Sequence, residues 1–589
     1  MRNCPKSDNS SKLYINTLSN YEFVFRSTYT SFYCIFYLLL NFPSLLQASH
    51  FPFCDHRQIM FLLICVIFLI IYIILVHPYT YWTIRGVKQG KPWILFGDSW
   101  GTVFRVMDMA EMVSYNYHLI PNTRYYGVYQ FFKPKLVIRD PDLIKQITVK
   151  DFEHFEDRSA MVDPKADPLF ARNLLSLKGD EWKKMRETLT NSFTSSKMKL
   201  MFGLITDAAE NFIKYFADKK GSTIDVEMKD AFTRFTIDVI ASTSFGVKVN
   251  SLFKPDNQFF KMGKEMTELN FKAFLKVLLF QFSPYLYRLL KLRMFRKEVN
   301  DFFRNLINDA LKSRKKGGIY RPDMLQILIE ARKGLTSDDN DTEGNYFKAG
   351  KYKFCLNFYL FLTDKIEGIS NEDITAQAVI FFFAGFDSVS SLMTFTVYEL
   401  AMNHEIQDKL REEIRQTLKN VNGKVTYEAI MDMKYMQLIL QEALRKWPPF
   451  VVLGRECTKS YTIKPALPDE VPVTIPKGLA IQIPVYALHH DPQYFPEPEN
   501  FIPERFSPEN RGRITPYTCL EFGQGPRSCL APRFALLETK IVLFYLVNRF
   551  KLVTSNKMEV PLKLSKNFSI NIRPAKGLWI CLEKLDEQF

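Results

Sequence analysis

The chain has 589 residues, of which 47% are hydrophobic and 24% charged, a composition typical of a folded protein with a large core or several domains. Its net charge of +15, without a nucleic-acid-binding motif, indicates either a solvated basic surface or a partner such as an anionic membrane or an acidic protein. The nine cysteines are scattered and odd in number, which argues against a disulfide framework and favours a reducing compartment.

The first 58 residues do not share the sequence pattern of the rest of the chain. They contain an apolar aromatic patch that is interrupted by prolines and is too short for a confident membrane span. We interpret residues 1–58 as an upstream extension of the gene model or a disordered segment, with Met60 as the natural start.

An uncharged apolar run follows, from Ile59 to Val76, and its 18 residues are long enough for a tilted membrane helix. A buried core helix is the alternative. Cations follow at Arg85, Lys88 and Lys91, so the positive-inside rule places the C-terminal side of the helix in the cytoplasm. The chain is therefore predicted to divide into an anchor over 59–77, a hinge linker over 78–94 and a catalytic domain over 95–589.

The next segments predict a small β-region and then helices. Residues 126–129 and 135–138 have the apolar pattern of two short strands, and Asp140-Pro141 starts a helix. Apolar residues at helical spacing predict further helices over 200–216, 228–245 and 297–312. The apolar and basic stretch 271–295 is either an ordinary helix pair with snorkelling cations or a second membrane-touching face.

Residues 334–370 are predicted to be an insertion loop. Residues 338–344 are acidic and polar, as in a mobile loop. Residues 354–362 are apolar, which indicates either an intron read through or a loop that packs or touches lipid.

A long apolar helix is predicted over 376–399, and it contains Gly385, Asp387 and Ser388. Glycine in the middle of a helix costs about 1 kcal/mol relative to alanine, and a carboxylate in such a helix is costly unless paired. The glycine either permits close helix packing or opens a local groove.

Two pairs of side chains share a helix face. Trp182 and Arg186 stand one turn apart, and an indole N–H and a guanidinium can together bind a carboxylate, although a surface helix explains the pair equally well. Glu442 and Arg445 form an i,i+3 pair, a spacing usually found in surface salt bridges.

Cys529 follows a loop with Gly523, Gly525 and Arg527, and a helix is predicted after it. A lone cysteine is usually an inert buried thiol. Here the helix dipole and the loop N–H groups are expected to favour a thiolate, which can serve as the axial ligand of a haem iron.

The ten residues from Phe522 to Ala531 resemble the haem-binding loop of the cytochrome P450 superfamily, Phe-x-x-Gly-x-Arg-x-Cys-x-Gly/Ala. The resemblance extends from about Met60 to the C-terminus and is broken near 334–370. It is closest to the insect microsomal branch that handles xenobiotics, families 9 and 6, through the stretches 163–168, 172–174, 193–198 and 382–387.

The resemblance implies a mainly α-helical (α+β) cytochrome P450 fold, with a small N-terminal-side β-region and an N-terminal anchor helix. Haem b would lie between the Asp387 helix and the Cys529 loop. Asp387 and Ser388 would serve oxygen activation, with serine in place of the usual threonine. The implied haem-binding residues are Trp182, Arg186, Ala384, Gly385, Arg455, Phe522, Arg527 and Cys529, the last as the iron ligand.

The resemblance also implies a structural triad beneath the haem loop, formed by Glu442, Arg445 and Arg505. By position in the family, large apolar residues would line a pocket for hydrophobic substrates, consistent with the 52 phenylalanines of the chain. Plain core is the alternative for each of them, and the residues concerned are Phe170, Phe386, Phe450, Val451, Val452 and Leu453.

The implied function is a monooxygenase of the endoplasmic reticulum membrane, with its catalytic domain in the cytoplasm. It would insert one atom of O2 into a small hydrophobic substrate. The implied partners are NADPH–cytochrome P450 reductase and, as an optional second donor, cytochrome b5. Two alternatives stay open: a haem-thiolate isomerase or dehydratase that does not use O2, and a non-catalytic haem-binding relic.

Overall fold

A computed structural model describes residues 56–585 apart from 161–162, 191–192, 268–270, 294, 318–320, 322, 333–368, 568 and 570. The predicted N-terminal extension and the predicted insertion lie outside the described residues, except for 56–58 and 369–370.

The described chain is mainly helical. In the first half the helices are α1 (His56–Leu75), α2 (Tyr81–Ile84), α3 (Trp100–Val103), α4 (Met109–Leu119), α5 (Pro141–Lys145), α6 (Pro168–Ala171), α7 (Gly179–Thr190), α8 (Ser195–Ala217), α9 (Met228–Ile240), α10 (Gln258–Thr267), α11 (Phe271–Phe282), α12 (Pro284–Leu289), α13 (Lys297–Gly317) and α14 (Met324–Arg332). In the second half they are α15 (Asn371–Met402), α16 (His404–Asn420), α17 (Tyr427–Met431), α18 (Lys434–Lys446), α19 (Val485–His489) and α20 (Pro532–Arg549). Two π-helical turns, Gln146–Lys150 and Ala241–Phe245, extend α5 and α9.

Short strands form three small sheets. The strands are β1 (Tyr125–Gln130), β2 (Lys133–Ile138), β3 (Thr223–Glu227), β4 (Leu453–Glu456), β5 (Tyr461–Ile463), β6 (Val473–Ile475), β7 (Ala480–Ile483), β8 (Phe550–Thr554) and β9 (Trp579–Lys584). Their orders are β1-β2-β7-β4, β3-β9-β8 and β5-β6, and only the β2–β7 pair is parallel among the pairs of named strands. The first sheet therefore joins the N-terminal hairpin to strands that lie more than 300 residues later.

Helix α15 runs through the centre of the molecule. Most of its side chains are buried, because α8, α9, α18 and α20 surround its second half and α10, α13 and α14 its first. Its N-terminus is fixed by a capping box in which the Ser370 side chain accepts from the Asp373 N–H and the Asp373 carboxylate accepts from the Ser370 N–H. A buried helix needs no polar face, which explains its long apolar sequence.

Several predicted elements are confirmed, namely the hairpin β1–β2, the helix start at Asp140 and the helices α8, α9, α13 and α15. Their boundaries shift by a few residues, as at α9, which ends at Ile240 and continues to Phe245 as a π-helical turn. The cause is local hydrogen bonding, which apolar periodicity does not report.

The segment predicted as a hinge linker packs against the first sheet. Trp82 is fully buried, its indole N–H donates to the Val128 carbonyl at 3.3 Å, and its backbone N–H donates to the Tyr129 hydroxyl at 3.2 Å. The Gly127 N–H donates to the Lys88 carbonyl at 2.9 Å. The chain that follows α1 is therefore held to the catalytic domain by hydrogen bonds and a buried indole.

Among the described residues, one helix alone is long and apolar enough to cross a membrane, and it is the buried α15. Residues Met60–Leu75 of α1 meet the same criteria only together with His77–Ile84, across a bend of 50°. Length and composition by themselves do not establish a span. The apolar side chains of α1 are nevertheless largely exposed, Phe61 by 66% and Phe68 by 67%.

Candidate active site

The loop that carries Cys529 is held by its own backbone and by the π-helical turn beneath it. The Cys529 N–H donates to the Phe522 carbonyl at 2.8 Å, and the Ser528 N–H donates to the Gly525 carbonyl at 3.0 Å. Gly525 has φ +72°, and a Cβ atom there would overlap the Thr148 carbonyl oxygen. Only glycine fits, because the two backbones are in direct contact. Helix α20 begins three residues after Cys529.

The Cys529 side chain has exposed surface, although protein atoms surround it closely. Desolvation raises the pKa of its thiol, and the N–H of Ala531 and the guanidinium groups of Arg186 and Arg158 lower it less. The expectation that the loop alone favours a thiolate is therefore wrong for the free thiol. A coordinated metal ion deprotonates a thiol outright, so the site fits a thiolate ligand with iron in place.

Three guanidinium groups converge beside this loop. Arg527 donates to the carbonyls of Glu156 and Leu177 at 2.7 and 2.9 Å and lies 3.9 Å over the Trp182 ring. Arg455, on β4, donates to its neighbour's carbonyl and more weakly to the Gln524 carbonyl. Arg158 donates to the Arg527 carbonyl at 3.0 Å.

Burial lowers the pKa of each of these three groups most, and repulsion by neighbouring guanidinium groups, Arg186 among them, lowers it further. The pKa falls to about 9 for Arg455 and Arg527 and to about 10 for Arg158, so all three stay cationic at neutral pH. The Nε–H groups of Arg158 and Arg455 are buried and have no hydrogen-bond partner among the described residues. Buried cations with unused donors fit an anionic group such as the two propionates of haem.

Trp182 and Arg186 lie on α7, as predicted, and both face the loop. The Arg186 guanidinium donates to the carbonyls of Ser528 and Cys529, at 2.9 and 3.5 Å, and the Trp182 ring lies beneath Arg527. Arg186 therefore fixes the backbone around the cysteine. Joint binding of one carboxylate by Trp182 and Arg186 stays a prediction.

The segment of α15 around Gly385 has two different faces. A Cβ atom on Gly385 would lie 2.6 Å from Ile240 Cδ1, the end of a flexible side chain, so a larger residue would force Ile240 to shift where α9 packs against α15. The side chain of Ala384 is exposed although the helix is buried, and the Ser388 hydroxyl donates to the Ala384 carbonyl at 2.6 Å. Helix packing accounts for Gly385, and Ala384 and Ser388 face accessible space one turn apart.

Asp387 lies in a buried polar network. Its Oδ1 lies 3.1 Å from Lys229 Nζ, and its Oδ2 accepts from Asn571 at 2.7 Å and from Arg573 at 2.9 Å. Lys229 also donates to the hydroxyls of Ser390 and Ser391. Although burial opposes it, the two cations hold the pKa of Asp387 well below its usual range. The carboxylate is therefore ionised and paired at neutral pH.

Replacing Asp387 by asparagine is expected to destabilise the fold by about 3–5 kcal/mol at pH 7, because Lys229 and Arg573 lose their buried counter-ion. The pKa of Asp387 is depressed in the folded state, so its contribution to stability is complete above the unfolded value of about 3.9 and is lost as the pH falls towards the folded value. Urea denaturation should show a constant difference between wild type and variant from about pH 7 to 5, narrowing below about pH 4. A difference that widens on acidification would contradict this assignment.

The predicted pocket residues fall into two groups. Phe170, Phe386 and Val451 are buried in the core, with the Phe386 ring 4.9 Å from that of Phe382. Plain core, the alternative reading, describes these three positions. Phe450 is 43% exposed and Val452 and Leu453 are half-buried. Phe170 packs against Phe295 and Phe383 at the start of α15.

The predicted triad lies beneath the loop. Glu442 and Arg445 are fully buried and bonded twice at 2.8 Å, and Arg505 Nε lies 3.3 Å from Glu442 Oε1. Arg445 also donates to the carbonyls of His489 and Pro498, each at 2.8 Å. Every strong donor and acceptor of this pair is thus used, unlike in a surface salt bridge.

Sequence reasoning missed three residues of the site: Arg158, Lys229 and Arg573. Arg158 lies in an irregular segment, and Arg573 lies close to the C-terminus. A single cation without a helical or motif partner gives no sequence signal. Lys229 is the second residue of α9, which also carries Asp230, Arg234 and Asp238, so its charge gave no signal of its own.

Comparison with known proteins places most of the chain in one family. The family model described as Cytochrome P450 matches residues 107–581. Cytochrome P450 9e2 of Blattella germanica is 39% identical over 537 residues, which cover 89% of this chain and 97% of that protein. Two proteins of Drosophila melanogaster, "Probable cytochrome P450 9f2" and "Probable cytochrome P450 6g2", are 37% and 36% identical over 85% and 86% of this chain and 94% and 95% of their own lengths.

Proposed function

The chain belongs to the cytochrome P450 family, and on that premise we propose that it is a membrane-bound monooxygenase that oxidises small hydrophobic molecules. Members of this family bind haem b through a cysteine thiolate. The observation that carries the proposal is the exposed Cys529 thiol beside three guanidinium groups, two of which, Arg158 and Arg455, have a buried Nε–H without a partner among the described residues. This arrangement suits a flat, dianionic, iron-bearing cofactor.

We assign Cys529 as the iron ligand and Phe522, Ala384 and Gly385 as neighbours of the haem faces. The residues that would contact the haem propionates are Arg455, Arg527 and Arg158. Trp182 supports the Arg527 side chain, and Arg186 supports the backbone of the loop. When bound, haem activates O2, which takes up two electrons and two protons so that one oxygen atom enters the substrate and the other leaves as water.

Ser388 and Asp387 have separable roles in this proposal. The Ser388 hydroxyl faces accessible space, where it can hold a hydrogen bond to a polar ligand or a water molecule. Asp387, paired with Lys229, Arg573 and Asn571, fixes the helix at that turn and stays ionised. Phe450, Val452 and Leu453, which keep exposed surface, provide apolar walls, and this favours lipophilic substrates.

We propose that α1 anchors the protein in the endoplasmic reticulum and that α11 and α12 contact the same membrane. Phe282 of α11 packs 5.7 Å from Phe132, which in turn lies 5.7 Å from Tyr79, just after α1. The two helices expose a set of apolar side chains on this side, Leu275, Phe282, Tyr285, Leu289 and Leu290. Cations among them, such as Lys272 and Lys291, suit anionic headgroups.

Electrons would come from NADPH–cytochrome P450 reductase, with cytochrome b5 as an optional second donor. Helix α7 exposes Lys183 and Lys184 beside Arg186, whose guanidinium touches the haem loop, and α20 exposes Arg533. These cations suit an acidic docking face on the electron donor, with Asp180, Glu181 and Glu187 of α7 exposed beside them.

The test is expression of the full chain with the reductase in insect-cell membranes. We expect the chain in the membrane fraction, a strongly red-shifted Soret band in the reduced carbon monoxide complex, and oxidation of a lipophilic probe that requires both NADPH and O2. Turnover without NADPH or O2 would indicate a haem-thiolate isomerase. A red-shifted band without turnover across a broad probe panel would favour a non-catalytic haem protein.

Replacing Arg455 by leucine should weaken haem retention. The variant removes one buried charged donor, whose hydrogen bonds to an anion are worth about 1.5–3 kcal/mol, so haem should transfer to an excess of a haem-scavenging protein about ten- to a hundredfold faster. Arg415→Leu, a change on α16 away from the loop, serves as the control. Equal transfer rates for wild type and Arg455→Leu would remove Arg455 from the propionate site.

A further inference from the structure

The imidazole of His489 forms one of the connections between the protein core and the segment that leads into the Cys529 loop. His489, the last residue of α19, is fully buried. The Leu520 N–H donates to its Nε2 at 2.8 Å, and its Nδ1 lies 2.9 Å from the Arg445 carbonyl. Because Nε2 accepts, the proton is on Nδ1 and is donated to Arg445. The nearby Arg445 cation and burial both disfavour an imidazolium and lower the pKa of His489 to about 3.

His489 belongs to a series of hydrogen bonds that extends from Arg445 of the triad to Cys529. Arg445 Nη1 donates to the His489 carbonyl at 2.8 Å, so Arg445 and His489 are bonded reciprocally. On the other side, Leu520 accepts from the Gly523 N–H at 3.0 Å, and Phe522 accepts from the Cys529 N–H at 2.8 Å. A continuous set of short hydrogen bonds and short backbone segments thus connects the buried Glu442–Arg445 pair with the backbone of Cys529.

We propose that His489 is a positioning residue for Cys529: it transfers the fixed geometry of the Glu442–Arg445 pair to the haem loop through the Leu520 N–H. The inference rests on the assignment of Cys529 as iron ligand in the proposed function. The imidazole suits this role because it is rigid and bonds to Arg445 through one nitrogen and to Leu520 through the other.

Two isosteric changes separate the two hydrogen bonds of His489. The amide of His489→Asn can occupy the place of Nδ1 and keep the bond to the Arg445 carbonyl, but it leaves the Leu520 N–H without an acceptor. The amide oxygen of His489→Gln reaches the place of Nε2 and keeps the bond to Leu520 instead. His490→Ala is the matched control, because His490 Nδ1 bonds to the Tyr486 carbonyl one turn earlier and its ring stacks on the same residue.

The readout is the rate at which the haem-loaded, reduced carbon monoxide complex loses its thiolate-type Soret band on mild warming. An unpaired buried N–H should make this loss about tenfold faster in His489→Asn, whereas His489→Gln and His490→Ala should stay within about threefold of wild type. Equal rates for the Asn and Gln variants, or a faster loss in His489→Gln, would overturn the proposal. A wild-type protein without the thiolate-type band would instead refute the Cys529 assignment, and the inference with it.

Discussion

Replacing Cys529 by serine is expected to remove the thiolate-type Soret band and to lower NADPH-dependent turnover by at least about a hundredfold, since changes to residues that merely support a metal ligand already cost about 10–100-fold. Serine keeps the size of the side chain and its hydrogen-bonding capacity but is a poor ligand for haem iron. The loop backbone bonds, including the Cys529 N–H to the Phe522 carbonyl, do not involve the sulfur. The protein should therefore still fold.

The matched control is Cys581→Ser, which makes the same change on β9, in the sheet formed by β3, β9 and β8. It should leave the spectrum and the turnover unchanged. A Cys529→Ser variant with the wild-type spectrum would exclude this residue as the ligand. Near-UV circular dichroism distinguishes loss of ligation from loss of the fold.

Replacing Glu442 by glutamine is expected to destabilise the protein by about 3–5 kcal/mol, because it leaves the fully buried Arg445 without its counter-ion. Native proteins are stable by only about 5–15 kcal/mol, so low yield and a large fall in the urea midpoint should follow. Arg505→Gln should cost less, since Arg505 is nearer the surface and makes a single 3.3 Å contact with Glu442.

The control for this series is Glu428→Gln. Glu428 pairs with Lys199 at 2.6 Å, but both side chains are more than half exposed, and such a surface pair is worth about 0–1 kcal/mol. Urea denaturation of the three variants should give losses in the order Glu442→Gln, Arg505→Gln, Glu428→Gln. Similar losses for Glu442→Gln and Glu428→Gln would mean that Glu442 contributes no more than a surface pair.

The helices and the cysteine loop could be predicted from the sequence because their signals are local. The apolar spacing of α8, α9 and α13 follows from one buried face each, and the apolar run of α15 follows from burial on all sides. The pattern from Phe522 to Ala531 combines glycine geometry, a cation and a thiol within ten residues. These features depend only on residues that lie close together in the sequence.

Contacts between distant segments could not be predicted in this way. The sequence pointed to Asp387, but its partners Lys229 and Arg573 lie 158 and 186 residues away. Trp182 and Arg186 were found from their helical spacing, yet in the structure one supports Arg527 and the other holds the loop backbone. Gly385 suggested a groove, whereas its close approach to Ile240 explains it by packing.

The sequence by itself determined the resemblance to the cytochrome P450 family, because the residues that carry it, from Phe522 to Ala531 and around Asp387, lie close together along the chain. Only the tertiary structure decided the ionisation of Cys529 and Asp387 and the positions of their partners. Burial raises the pKa of Cys529, and two distant cations lower that of Asp387. Both effects come from charges and low-dielectric surroundings that the fold brings together, and neither is encoded in the spacing of neighbouring residues.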